Sequence, residues 1–325
     1  MNRFGHHFRI ALWGESHGPQ IGVVLDGVPA GIPLSVDDFA ADLARRRSGA
    51  AGTTARREPD LPQLVSGIYR GRTTGAPLTI EFSNTDARPQ DYEATQGHDR
   101  PSHADRTGFV KFGGHNDPRG GGHFSGRLTL ALVAAGVVAK KLLPAELAFA
   151  TRIAEIGGCT DAERFDELLR NASEEQDSLG GIVECRVGGI PAGWGEPFFD
   201  SVESCIAHLL FAIPGIKGVE FGSGFAAARS HGSANNDRIL DADGRTATNH
   251  AGGIDGGITN GNELLDRAAF KPTSSNGRPQ ETFNRTTGRI ETLRLTGRHD
   301  TCIALRGAVV VEAAVAIALA DLQPR

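Results

Sequence analysis

The sequence lacks the features that would mark several large classes of protein. Aromatic residues make up only 6% of its 325 positions, with two Trp and two Tyr, too few for the stacking platforms of single-stranded nucleic-acid binders. Excess positive charge is also missing: 34 Lys and Arg stand against 39 Asp and Glu, a formal net charge of −5. That balance argues against a generic nucleic-acid or membrane-surface binder, so any anion must be held by a local cluster. The four cysteines, Cys159, Cys185, Cys205 and Cys302, form no C-x-x-C pair, a pattern fitting reduced cytoplasmic thiols better than disulfides or zinc. The 11 histidines show no H-E-x-x-H or similar spacing, so no metal is expected. The longest apolar stretch, residues 130–139, falls well short of the roughly 20 residues of a membrane span. The first ten residues lack the apolar run of a signal peptide. A soluble, cytoplasmic protein with no membrane or nucleic-acid partner is the expectation.

Glycine, by contrast, is abundant, at 43 residues, which implies tight turns and close approaches of backbone to ligand. Apolar residues at 39% and charged residues at 22% are ordinary for a folded protein with a sizeable core. Length alone leaves one large domain or two smaller ones open. An internal echo bears on that choice. Residues 21–46 and 181–210 each show a β-branched run, a G-[VI]-P-A-G turn at 27–31 or 189–193, and an amphipathic helix. Ser35 with Asp38, and Asp200 with Glu203, read as N-caps with an acid three residues on. The echo is either turn chemistry shared by chance or a duplicated architecture. Helices are also expected at 127–143, 161–171 and 306–322, and strands at 8–13, 21–26, 77–82, 181–187 and 292–296. Their irregular alternation favours an α+β fold. The polar segments 231–252 and 271–289 read as ordered functional loops.

Several motifs carry chemistry, each beside a plainer alternative. Gly14-Glu15-Ser16-His17-Gly18 fits G-x-S-x-G, but a nucleophile elbow needs a helix after the serine. Here a second strand follows, so the motif is a hairpin tip presenting Ser16 and His17, either to a reaction or merely as turn caps. Arg45, Arg46, Arg47, Arg56 and Arg57 form a solvated basic face or a bidentate grip on phosphate and carboxylate. Residues 119–127, RGGGHFSGR, lead into a helix, an arrangement suited to phosphate or flavin binding, or simply a tight loop. The segment 222–227 loosely fits a dinucleotide fingerprint but no helix follows it, so it is set aside. Lys271, Thr273, Ser274 and Ser275 gather one cation and three hydroxyls around Pro272. Arg298, His299 and Asp300 combine anion-binding, base and acid groups.

Taken together, GESHG at 14–18, RRR at 45–47, RREPD at 56–60, RPSHAD at 100–105, RGGGHFSGR at 119–127, NHAGGIDGGI at 249–258, KPTSS at 271–275 and GRHDTC at 297–302 resemble the chorismate synthase family from end to end. The resemblance implies a β-α-β sandwich, helices between two antiparallel sheets, with an internal pseudo-two-fold repeat. It implies a single domain over 1–325 with halves near 1–150 and 151–325, assembled as a homotetramer. The implied activity is a lyase reaction of chorismate and aromatic amino acid biosynthesis. It is the 1,4-anti elimination of phosphate from 5-enolpyruvylshikimate-3-phosphate, dependent on reduced FMN supplied by an external, NADP-linked reductant. The catalytic residues would be Ser16, His17, His103 and Asp300. Arg46, Ser125, Arg127 and Arg298 would hold substrate. His123, Phe124, Ser125, Gly256, Lys271, Pro272, Thr273, Ser274, Ser275 and Arg298 would contact the flavin. The chain departs from the family at His123-Phe124-Ser125-Gly126, where many relatives carry Arg-Ser-Ser-Ala. It also lacks an arginine between Arg47 and Arg56, and carries Pro214-Gly215 for a more usual Asn-Ala. A redox flavoenzyme, a serine hydrolase, a phosphate-binding protein and a scaffold are the competing classes.

Overall fold

The computed structural model describes residues 2–49, 52–53, 58–86, 97–295 and 299–324. Its first sheet is built from β1 (Arg3–Phe4), β2 (Arg9–Gly14), β3 (Gln20–Asp26), β4 (Gln63–Ser66) and, after the small hairpin β5 (Ile68–Tyr69) and β6 (Arg72–Thr73), β7 (Leu78–Ser83). The strand order is β1-β2-β3-β7-β4, antiparallel throughout. The second sheet holds β8 (Ala148–Ile156), β9 (Gly181–Gly188), β10 (Ile216–Phe221) and, beyond the hairpin β11 (Ile254–Asp255) and β12 (Ile258–Thr259), β13 (Leu264–Phe270). Its order is β10-β13-β9-β8, also antiparallel. A last hairpin pairs β14 (Gln280–Asn284) with β15 (Arg289–Leu293).

Each sheet buries one face. Ile21, Val23 and Leu25 of β3 and Leu78, Ile80 and Phe82 of β7 are fully buried, as are Val183, Cys185 and Val187 of β9, the period-2 pattern of a sheet with one face on a core. Between the sheets lie α1 (Ala40–Arg46), α3 (Thr129–Leu142), α5 (Val202–Ala212) and α7 (Ala304–Leu322). α3 packs on β3 and β7, α7 on β8 and β9, α5 on β10, and α3 against α7. Helices covered on both sides should be apolar all round: residues 129–139 of α3 and most of α7 are buried. The short helices α2 (Asp105–Phe112), α4 (Phe165–Glu174) and α6 (Gly232–Asn235) sit outside this layer. At the end of α7, the Asp321 carboxylate accepts the backbone N–H groups of His6, His7 and Phe8. No helix of the described residues is long and apolar enough to cross a membrane.

The internal echo has a topological counterpart. In sheet one the order β2-β3-β7-β4 matches β8-β9-β13-β10 in sheet two, with α1 leaving β3 as α5 leaves β9. Both P-A-G turns carry positive φ at their first and last glycines, Gly27 and Gly31, Gly189 and Gly193. The first cap is as expected, with Asp38 accepting the Ser35 N–H at 2.7 Å. The second is one residue later than expected: Ser201, not Asp200, is the N-cap of α5, its hydroxyl accepting from Ser204 N–H. The stretch 271–289, read as loop, contains β14, and 231–252 is ordered around Asp237, which accepts from Thr248, His250 and Ala251.

Candidate active site

The expected hairpin tip is present between β2 and β3, and it does not stand free. Ser16 N–H donates to the Gly122 carbonyl at 3.1 Å, and His123 Nδ1 lies 2.7 Å from the Gly14 carbonyl. A carbonyl only accepts, so His123 carries its proton on Nδ1 and pins the glycine loop to the tip. Asn84 Nδ2 ties the tip from the other side, donating to the carbonyls of Glu15 and Gly18 at 3.2 and 2.8 Å. Ser16 is only 2% exposed.

The loop between Pro118 and Ser125 explains why glycine is required there. Gly120, Gly121 and Gly122 all have positive φ, and Gly122 takes ψ −126°, a region open only to glycine. A Cβ on Gly120 would lie 2.3 Å from the His17 ring, and one on Gly121 would lie 3.3 Å from Cε1 and Nε2 of His103. The two histidines singled out in the sequence therefore flank successive residues of one loop. Phe124 turns away, its ring against Gly108 and Phe112 of α2.

Behind the loop lies a buried cluster of guanidinium groups. Arg46, 2% exposed, donates through Nε to Thr129 Oγ1 at 3.1 Å and through Nη2 to the Gly126 carbonyl at 2.8 Å. Arg127 pairs with Asp60 through Nη1 and with Asn84 Oδ1 through Nε at 3.0 Å. Arg306 donates to the Arg46 carbonyl at 3.0 Å and to Asp300 at 3.2 Å. Burial, with Arg306 and Arg127 close by, pulls the Arg46 guanidinium well below its ordinary pKa, against the opposing pull of Asp60 and Asp300. Three guanidiniums face two carboxylates, and Arg46 Nη1 and Arg127 Nη2 are buried without a hydrogen-bond partner among the described residues. Unmade bonds of this kind are costly in a folded protein, and an anion would complete them. Of the other basic residues, Arg45 is engaged by Glu312 and Asp42, and Arg47 by the Pro59 carbonyl. Arg56, Arg57 and Arg298 lie outside the described residues.

The second half of the chain closes the cluster. Lys271 Nζ donates to the Ser102 carbonyl at 2.9 Å and contacts Ser274 Oγ. Burial, and then the like charge of Lys217, lowers its pKa. Thr273 Oγ1 donates to the Asp300 carbonyl at 2.7 Å, and Arg100 Nη1 to Ser275 Oγ at 3.1 Å. His299, pushed down to about 4 by burial and then by Arg100, also feels Asp300 and His103. Arg100 binds Asp105 at 2.7 and 2.8 Å, and Asp105 lies 2.7 Å from His103 Nδ1. Ser16, His17, Arg46, His103, His123, Ser125, Arg127, Lys271, Thr273, Ser274, Ser275 and Asp300 thus belong to one connected network. Gly256 stands apart in the β11–β12 turn; among the described residues no hydrogen bond or ion pair joins that turn to the glycine loop or Lys271. Sequence reasoning names His299 as a base beside Asp300, but not Asp60, Asn84, Arg100, Asp105 or Arg306. Asp60, Arg100 and Asp105 lie inside the short motifs already noted, which was the one available signal.

Comparison with known proteins follows the same lines. The family model described as chorismate synthase matches residues 8–323. A chorismate synthase from Chitinophaga pinensis is 57% identical over 99% of this chain and 96% of its own length. One from Dehalococcoides mccartyi is 45% identical over 100% and 97%, and one from Sulfolobus acidocaldarius 43% over 98% and 89%. A crystal structure of a chorismate synthase superposes with a TM-score of 0.74 at 27% identity, covering 98% of this chain and 92% of that one.

Proposed function

Since the chain belongs to the chorismate synthase family and is a carbon–oxygen lyase of that kind, we propose that the guanidinium-lined network around the glycine loop is its active site. The reaction removes phosphate from C3 and a hydrogen from C6 of 5-enolpyruvylshikimate-3-phosphate, leaving chorismate with no net oxidation. The observation that carries the assignment is the pair of buried, incompletely bonded guanidinium groups, Arg46 and Arg127, set behind two imidazoles. A substrate with two carboxylates and a phosphate needs such groups in a site closed to water.

Reduced FMN is the cofactor of this reading, and the residues fit it. Lys271 is held near Lys217, a repulsion that a phosphate would relieve, and the Ser274 hydroxyl contacts its ammonium, with Thr273 and Ser275 flanking Ser274 in the chain. Those residues with Pro272, His123, Ser125 and Arg298 would hold the cofactor; Phe124, against α2, and Gly256, in the β11–β12 turn, stand apart from this set. When bound, it supplies transient electron density for phosphate departure and recovers it within the turnover. The chain's own residues do the rest. His17 delivers a proton to the departing phosphate oxygen, a role suited to imidazole near neutral pH. His103 manages a proton beside Gly121 of the glycine loop. Arg46, Arg127, Ser125 and Arg298 grip the anionic groups, and Ser16 and Asp300 stand where the C6 hydrogen leaves.

We read the chain as one domain of two halves meeting near residue 150, working in the cytoplasm as a homotetramer with an external reductant. The matched strand orders support the first point. Phe198, Phe199 and Phe225, at 85%, 91% and 74% exposed, support association. The decisive assay is anaerobic, with purified protein, the enolpyruvyl substrate and FMN either oxidised or chemically reduced. Chorismate and phosphate should form only with reduced flavin, without stoichiometric consumption of reductant. Consumption at each turnover would indicate a redox enzyme, and product formation without flavin would overturn the reading.

A further inference from the structure

We propose that Asp105 is a positioning residue for His103, fixing the imidazole in the one tautomer that turns a proton-exchanging Nε2 toward the glycine loop. This rests on the reading of His103 given above and adds the group that makes it usable.

His103 Nδ1 has two close neighbours, Asp105 Oδ1 at 2.7 Å and Arg100 Nη2 at 3.1 Å. Only one of the two can be a hydrogen bond in a neutral ring. A bare Nδ1 would set its lone pair against a carboxylate oxygen at 2.7 Å, so the shorter contact decides: Nδ1 carries the proton and donates to Asp105. Nε2 is then the atom left to exchange a proton, and it is the side of the ring nearest Gly121. The carboxylate is itself fixed. Asp105 is the first residue of α2, where a negative charge meets the helix N-terminus favourably, and Arg100 binds both of its oxygens. Burial works against the ionised form, but hydrogen bonds from Arg100 and then His103 hold Asp105 well below the usual carboxylate range. It remains an acceptor at any working pH. Arg100 also reaches Ser275, so the chain Ser275–Arg100–Asp105–His103 links the proposed cofactor loop to the imidazole. A further group facing the ring is His299.

A carboxylate behind an imidazole orients the ring and raises the basicity of its far nitrogen, and at metal-bound imidazoles removing such a partner costs about 10–100-fold. Asp105→Asn keeps the shape but removes the charge. It should lower kcat about 10–100-fold with little change in KM, and move the pH limb governed by His103 to lower pH. Because Asp105 acts through His103, the double variant His103→Ala/Asp105→Asn should be no slower than His103→Ala alone. An Asp105→Asn protein with unaltered kcat and pH profile, a loss additive to that of His103→Ala, or an Asp105→Asn protein that no longer folds would each overturn the proposal. Near-native turnover by His103→Ala would instead remove the active-site reading itself, so the two failures are separable.

Discussion

At Gly120 a single methyl group would compete with the His17 ring for the same space, since its carbon would fall 2.3 Å from Nδ1 and Cε1. Gly120→Ala should therefore still fold but displace His17. We expect its kcat/KM with reduced FMN to fall toward that of His17→Ala, for which loss of a general acid predicts about 10²–10⁴-fold. Both proteins should keep FMN affinity in a fluorescence titration, and wild-type turnover in either would deny His17 its role. At this scale the sequence is informative where a residue's chemistry sits inside a short motif, as with His17, His103, Arg46 and Arg127. It says little about the groups that complete them. Asp60 reaches Arg127 from a backbone with φ +49°, and Arg306 reaches the Arg46 carbonyl from a helix that is mostly apolar. Such pairings are set by tertiary packing and leave no local periodicity.

The helix pair at the centre of the sandwich depends on one close crossing. A Cβ on Gly136 of α3 would lie 2.4 Å from Ala313 Cβ and 2.6 Å from its Cα in α7. Alanine would favour the helix by up to about 1 kcal/mol, but overpacking costs about 1–3 kcal/mol. Because backbone is among the atoms met, the second effect should win and Gly136→Ala should lower Tm. A raised Tm would mean that the helices separate easily. α3 and α7 were the most legible elements, predicted at 127–143 and 306–322 and observed over Thr129–Leu142 and Ala304–Leu322. Long apolar segments announce themselves. α2 escaped notice because it is eight residues long, has no side-chain cap and buries only Gly108. β13 escaped because LLDRAAF is poor in β-branched residues; its partners β9 and β10 hold it in the sheet.

On the scale of the whole molecule, one ionisable group in the core is poorly accommodated and takes no part in the proposed reaction. Asp266 on β13 is fully buried, and neither carboxylate oxygen has a hydrogen-bond partner among the described residues. Burial raises its pKa to about 8, against the pull of Arg267 and with a push from Glu184. A raised folded-state pKa gives stability that is complete below about 4 and is lost as pH climbs through about 8. Asp266→Asn, which cannot ionise, should escape this loss. Its Tm should exceed that of the parent by the widest margin near pH 8 and converge toward pH 4; parallel melting curves would show that the carboxyl is paired.

The last helix packs on the second sheet and against α3, which covers the first, and residues 299–306 supply Asp300 and Arg306 to a cluster that begins at Ser16. During synthesis, the segment that clamps Arg46 emerges from the ribosome after every other contributor has done so. A nascent or prematurely stopped chain would hold a sandwich without its last central helix and a half-built anion pocket. Translation that stops upstream of α7 should therefore yield inert protein that proteases can clear, rather than a partly active enzyme.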